Sequence, residues 1–295
     1  MITAHQEKME NKFIEWGNEQ PEVRAMILTS TLAVPGGARD ILSDYDVILA
    51  LQDVRPFFES RNWLEDFGHV LALYRDPLES ENGHLKSGYV IQFEKGLKID
   101  FTLWEVQILQ RVVAAIELEP ELDAGYLVLL DKDHLTDGLK PASFQAYIPQ
   151  PPSEAKFQDT IEVFFLDTTY VAKFLWRGDL VAAKHIQELL VQEHLRPMLE
   201  WHLEIEHGWS VKPGPYGRRL KKWLRPELWE ALENTYCGAN LEDNWDALFR
   251  TISLMHKTAL EVGEKFGFAY PYGLEDRVMA HLKRVKDLEK DADHF

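Results

Sequence analysis

The chain has 295 residues, which is enough for two ordinary domains or one large one. Hydrophobic residues make up 45% and charged residues 27%, the composition of a globular protein with substantial cores. The polar first residues and the absence of a long apolar run argue against a signal peptide and a membrane span. The single cysteine, Cys237, cannot form an internal disulfide, so we expect a cytoplasmic protein.

The net charge restricts the class of partner. It is -17, with 49 acidic residues against 32 lysines and arginines. Such a field repels a nucleic-acid backbone and attracts cations. The charge therefore argues against a nucleic-acid partner and favours a cationic substrate, although net acidity that only maintains solubility is the alternative.

The first half of the chain alternates between predicted strands and helices. Apolar runs predict strands at 24–28, 46–51, 69–74, 88–93, 97–103 and 126–130, and helical spacing predicts helices at 56–67 and 105–116. The short connection Glu94-Lys95-Gly96 between two of these runs predicts a hairpin. In its second strand, Lys98 and Asp100 share one face, and the apolar residues share the other.

Prolines at 149, 151 and 152 interrupt this pattern and predict a domain boundary. Beyond them the spacing is almost entirely helical, with helices predicted at 153–176, 180–206, 226–236, 241–266 and 274–291. We therefore predict an α+β protein. It would have an α/β domain with a mixed sheet over 1–140 and a helical domain over 153–295.

Two aspartates at the start of the second predicted strand have the spacing of metal ligands. In an extended chain Asp44 and Asp46 point to the same side, with Cα atoms roughly 6.6 Å apart. Carboxylates so placed can bind Mg²⁺, which prefers oxygen ligands and often binds together with substrate phosphates. Asp100 is the candidate for a third ligand, because an acidic residue is disfavoured in such a strand unless its face is wet or liganded. An Asp-x-Asp pair alone is common, and a solvated strand entrance is the simpler interpretation of it.

The combination of these features resembles a known superfamily. A short strand, a serine-containing turn, an Asp-x-Asp and a distant third aspartate are similar to the nucleotidyltransferase superfamily of DNA polymerase β. A closer resemblance is to the aminoglycoside 6-adenylyltransferases, which modify streptomycin. It extends through most of the chain, notably at residues 169–173, 194–201, 228–232, 244–249 and 268–271.

The resemblance implies a mechanism. ATP would be the co-substrate, and Asp44, Asp46 and Asp100 would be the catalytic residues and Mg²⁺ ligands, with Asp100 nearest the nucleophile and able to accept its proton. The family's Gly-Ser is Thr29-Ser30 here, and both residues would contact the nucleotide. Because threonine is β-branched and stiff where glycine is permissive, we expect an altered nucleotide affinity.

The helical half supplies further candidates. Lys173 occupies the lysine position of a family-like segment and would contact the phosphates of ATP. Glu162 and Asp167 are candidates for binding the cationic substrate, because carboxylates suit ammonium and guanidinium groups. Taken alone, each of these three residues is more simply interpreted as part of a solvated helix surface. The sequence does not identify a separate general base, the acceptor hydroxyl or the oligomeric state. It also leaves open another acceptor or a non-catalytic nucleotide-binding module.

Overall fold

The computed structural model describes residues 4–34, 37, 39–292 and 294. They form two compact units, and the chain passes from the first to the second between Ala146 and Tyr147. The first unit is a mixed sheet flanked by helices, and the regular elements described in the second are all helices. The predicted α+β class is therefore confirmed.

The sheet of the first unit has seven strands. The elements of this unit in chain order are α1 Ala4–Glu19, β1 Val23–Thr29, α2 Ser30–Ala33, β2 Tyr45–Leu51, α3 Arg55–Glu59, a 3-10 turn Asn62–Asp66, β3 Val70–Arg75, β4 Glu79–Glu81, β5 His84–Phe93, a 3-10 turn Glu94–Gly96, β6 Lys98–Glu105, α4 Val106–Ala114, α5 Pro120–Asp123 and β7 Tyr126–Asp131. The strand order is β3-β5-β6-β2-β1-β7, and β4 pairs with β5 at one end. Only β2 and β6 run parallel; the other pairs are antiparallel.

The two faces of the sheet are covered to different extents. On one face α1 and the segment after β2 bury a large apolar cluster, in which the rings of Trp16, Phe67 and Phe101 pack against one another at tilted angles. On the other face α4 and α5 cover a smaller cluster that includes Ile48 and Trp104. Alternate residues of a strand point to opposite faces. This second face therefore also carries the side chains at the other end of these strands, including Asp46 of β2 and Asp100 of β6.

The second unit has its own apolar core, which is formed by aromatic and aliphatic side chains from its long helices. Its elements are α6 Glu154–Arg177, α7 Leu180–Leu189, a π-helical segment Leu190–Leu195, α8 Arg196–His207, a 3-10 turn Pro215–Gly217, α9 Leu220–Trp223, α10 Pro226–Glu233, α11 Leu241–Phe266 and α12 Tyr272–Lys286. The Ser153 hydroxyl accepts a hydrogen bond from the Lys156 N–H and caps α6, which ends at Gly178 with φ 82°. These signals fix both ends of the helix.

Two helical regions differ from the sequence prediction. The helix predicted over 56–67 is split into α3 and a 3-10 turn, because Ser60 is extended (φ -103°, ψ 139°) and ends α3. The helix predicted over 180–206 contains the π-helical segment between α7 and α8. The N-terminal helix α1 was not predicted, although it packs Phe13 and Trp16 into the sheet.

Candidate active site

The sheet register places three of the predicted site residues side by side. Thr29 of β1 pairs with Asp46 of β2 in antiparallel register, and Asp46 pairs with Asp100 of β6 in parallel register. Residues that pair across strands direct their side chains to the same face. Asp44 lies two residues before Asp46, just ahead of β2, and belongs to the same side of the chain. The three aspartates therefore lie close together at one end of the sheet face on which α4 and α5 pack.

A lysine lies between two of these carboxylates. The Lys98 Nζ donates to Asp44 Oδ2 at 2.7 Å and to Asp100 Oδ2 at 2.9 Å. Burial alone would lower the pKa of Lys98, but its hydrogen bonds and charge interactions with the two aspartates outweigh burial and raise the pKa. Lys98 is thus a charged counter-ion for Asp44 and Asp100. The sequence analysis placed it on the right face of the strand but assigned it no role.

Asp46 is the most perturbed carboxylate of the site. Burial raises its pKa from 3.8 to about 6; a hydrogen bond with Ser30 partly opposes this effect. The charges of Asp100, Asp44 and Glu121 also contribute to this raised value. The fold therefore holds a carboxylate where its charge is unfavourable, which is common at sites that bind cations or catalyse reactions.

The donor set of this site fits a hard cation. Asp100 Oδ1 is buried and has no hydrogen-bond partner, so one oxygen is available to a ligand. Asp44 and Asp46 at the start of β2 and Asp100 of β6 would supply the oxygen ligands that Mg²⁺ prefers. Within the described ranges, no group of three or more histidine, cysteine, aspartate or glutamate side chains is arranged to hold a metal ion without rearrangement. Lys98, bonded to Asp44 and Asp100, is the side chain that would have to move for both to turn to a metal ion.

The segment that carries the family's Gly-Ser position has an unexpected backbone. Thr29 is extended (φ -122°, ψ -168°), which suits a β-branched residue. The left-handed conformation falls on the next residue, Ser30, with φ 63°. A glycine's conformational freedom is therefore not required at position 29. The left-handed turn brings Ser30 into hydrogen bonding with Asp46.

Glu121 belongs to this site although the sequence analysis did not single it out. Its Oε1 accepts a hydrogen bond from Thr29 Oγ1 at 3.1 Å. Burial raises the pKa of Glu121, the hydrogen bond from Thr29 lowers it, and the charge of Glu119 raises it; the net direction is upward. An acidic residue in the first turn of a short helix is ordinarily explained by the helix dipole, so its sequence carried no distinguishing signal.

The candidates in the second unit are dispersed. Glu162 is exposed on α6, whereas Asp167 Oδ2 contacts His194 Nε2 of the π-helical segment at 3.1 Å. Five residues separate Glu162 from Asp167, so they lie about 140° apart around the helix axis. The Lys173 ammonium lies 4.6 Å from the centroid of the Tyr170 ring on the same helix. The structure thus does not bring Glu162 and Asp167 into one cluster.

The sequence matches a known protein family over almost its whole length. The model of the family described as streptomycin adenylyltransferase matches residues 3–285. The chain belongs to this family. Membership makes it an enzyme of the nucleotidyltransferase class, and the recognition of the family from its sequence motifs is confirmed.

Several characterised relatives carry related names. An aminoglycoside 6-adenylyltransferase of Bacillus subtilis is 28% identical over 90% of this chain and 93% of its own length. Enzymes of the same name from Campylobacter jejuni and Staphylococcus aureus are each 26% identical, over 84% and 77% of this chain and 84% and 79% of their own. A crystal structure of an aminoglycoside 6-adenyltransferase from Bacillus subtilis aligns with 97% of this chain and 100% of its own, at 25% identity and a TM-score of 0.48.

In the part of the chain that the structure describes, no helix is long and apolar enough to cross a membrane.

Proposed function

We propose that this protein transfers the adenylyl group of Mg-ATP to a hydroxyl of an aminoglycoside, with streptomycin or a close relative as acceptor. The observation that carries the proposal is the row of Thr29, Asp46 and Asp100 across three strands, with Asp44 beside it, in a member of this family. The names of the characterised relatives support the substrate class. Modification of the drug would confer antibiotic resistance, and the need for ATP agrees with a cytoplasmic location.

The reaction requires one bond to form and one to break. The acceptor oxygen attacks the α-phosphorus of ATP, the bond from that phosphorus to the bridging oxygen breaks, and pyrophosphate leaves. The attacking hydroxyl loses its proton, and Asp100, whose Oδ1 has no hydrogen-bond partner, would accept it. Bound Mg²⁺ would supply charge neutralisation at the phosphates and at the attacking and leaving oxygens.

The side chains have distinct roles in this proposal. Asp44, Asp46 and Asp100 would hold the metal, and the Ser30 hydroxyl would turn from Asp46 to donate to a phosphate oxygen. The Thr29 hydroxyl donates a hydrogen bond to Glu121, so Thr29 would contribute to the nucleotide site through its position in β1 and not through its hydroxyl. Lys98 pairs with Asp44 and Asp100, and its ammonium group would be released if those carboxylates held the metal.

The helical unit takes part through charge. Lys173 would contact the phosphates, and Glu162 and Asp167 would bind cationic groups of the acceptor. Asp167 is the stronger of the two acidic candidates, because its carboxylate is already oriented by His194, whereas Glu162 is exposed. An oriented carboxylate loses less side-chain freedom on binding a ligand.

Mass spectrometry of streptomycin incubated with the protein, ATP and Mg²⁺ tests the proposal. We expect a product that carries one AMP, no product with EDTA, and none with Asp46→Asn. The matched control is Glu59→Gln, which removes an exposed carboxylate from α3 and should leave the yield unchanged. Adenylylation of a different hydroxylated acceptor would revise the substrate. Absence of any nucleotide turnover across a panel of acceptors would favour a non-catalytic nucleotide-binding module.

A further inference from the structure

The row of side chains that carries the aspartates continues beyond them. Asp100 of β6 pairs with Val90 of β5, and Val90 pairs with Tyr74 of β3. All three side chains therefore lie on the same face of the sheet as Asp46. Tyr74 is 60% exposed and Val90 38% exposed, both high values for large apolar side chains in a sheet. The row thus ends in an open apolar surface two strands, or about 10 Å, from Asp100.

A carboxylate lies beside this surface. Gly88 has no side chain, and a Cβ built there would be only 2.6 Å from Asp76 Oδ2. Gly88 pairs with Thr102, which shares a face with Asp100, so the Asp76 carboxylate lies over the same face as the aspartates. Two hydrogen bonds hold its backbone: the Asp76 N–H donates to the Gly88 carbonyl at 3.0 Å, and the Ser87 hydroxyl donates to the Asp76 carbonyl at 3.0 Å.

The charge of Asp76 has no counter-ion. Among the described residues its carboxylate forms no ion pair, in contrast to Asp44 and Asp100, which share Lys98. A further carboxylate on the same face as the three aspartates would repel the phosphates of ATP. An ammonium or guanidinium group would be attracted instead, both by the carboxylate and by the face of the Tyr74 ring.

We propose that Tyr74, Asp76 and Val90 form the acceptor subsite of the enzyme. They would hold a sugar or cyclitol ring that bears an ammonium or guanidinium group. The ring would pack on Tyr74 and Val90, its cation would pair with Asp76, and its hydroxyl would extend along the row toward Asp100. This inference rests on the proposed function, because it takes an aminoglycoside as the acceptor.

Steady-state kinetics with each substrate varied in turn tests the subsite. Asp76→Asn removes the charge and keeps the shape, and it should raise the acceptor KM about tenfold. Tyr74→Ala should also raise the acceptor KM about tenfold, and Tyr74→Phe, which keeps the ring, should raise it less. The KM for ATP should be unchanged in every variant. Leu71→Ala is the matched control, because Leu71 is 67% exposed on β3 but lies at the register irregularity, outside the row.

Two outcomes would overturn the subsite. In the first, Asp76→Asn and Tyr74→Ala both keep the wild-type acceptor KM. In the second, they raise the KM for ATP, which would indicate that the nucleotide binds on this surface. Titration calorimetry with streptomycin and no ATP separates this failure from a failure of the proposed function. If the wild type binds streptomycin but does not adenylylate it, and Asp76→Asn weakens that binding, the subsite is retained and the proposed activity is rejected. An absence of aminoglycoside binding by the wild type would reject both.

Discussion

Asp46→Asn should stabilise the protein while it abolishes transfer. Burial, reinforced by the neighbouring carboxylates, raises the pKa of Asp46 from 3.8 to about 6. A tenfold change in proton affinity corresponds to about 1.4 kcal/mol, so the ionised carboxylate costs the folded protein about 3 kcal/mol relative to the unfolded chain. Asparagine has nearly the same shape, has no charge, and can still accept a hydrogen bond from Ser30.

The pH dependence gives the sign of this effect. Between about pH 4 and pH 6 the folded protein binds more protons at Asp46 than the unfolded chain does, so its stability falls as the pH rises. At pH 7.5 the contribution is fully unfavourable, and at pH 4 it is nearly absent. Asp46→Asn should therefore raise the free energy of unfolding by about 3 kcal/mol at pH 7.5 and by little at pH 4.

Urea denaturation at both pH values, in EDTA, measures this difference. Glu59→Gln serves as the control because its carboxylate is exposed on α3, and it should change neither value. Excess Mg²⁺ should stabilise the wild type but not Asp46→Asn, because binding to the folded state alone raises stability. A variant that is no more stable than the wild type at pH 7.5 would refute the view that the fold holds Asp46 as an unfavourable charge.

Three further substitutions follow from the contacts described. Lys98→Met removes the counter-ion of Asp44 and Asp100, so it should lower the melting temperature in EDTA by about 3 °C and increase the stabilisation by Mg²⁺. An unchanged response to Mg²⁺ in differential scanning fluorimetry would contradict the view that Lys98 competes with Mg²⁺ for these carboxylates. Thr29→Val leaves the partly buried Glu121 carboxylate without its donor and should cost about 1 kcal/mol in urea denaturation, whereas Thr29→Ser should cost much less; equal losses would argue against the hydrogen bond. Gly178→Ala forces a side chain into the left-handed end of α6 and should cost about 1 kcal/mol, while the control Gly238→Ala, at a site with open space and no positive φ, should cost less.

Local signals in the sequence predicted most of the fold. The hairpin of β5 and β6 was predicted from its short glycine-containing connection, and α11 was predicted with the bounds that the structure has, Leu241–Phe266. These elements are defined by nearby residues: Asn240 caps α11 through the N–H groups of its first turn. The helix predicted over 56–67 was wrong in its continuity, because apolar spacing does not reveal the extended residue that ends α3.

The site itself was only partly predictable. Asp44 and Asp46 lie close in sequence, so their shared side follows from the geometry of a strand. The bridging role of Lys98 and the contact of Glu121 with Thr29 depend on pairings between distant segments. No periodicity encodes such pairings, because they result from the strand order and register of the whole sheet.

The parallel pairing of β2 with β6 has a consequence for how the protein acquires activity. Asp46 and Asp100 become neighbours only when β2 pairs with β6, across a connection that contains β3, β4 and β5. A slip of one residue in this pairing would turn Asp100 toward the apolar cluster on the opposite face. Parallel pairing across a long connection forms slowly during folding. Catalytic competence should therefore be among the last properties to return on refolding, after most helical structure has re-formed.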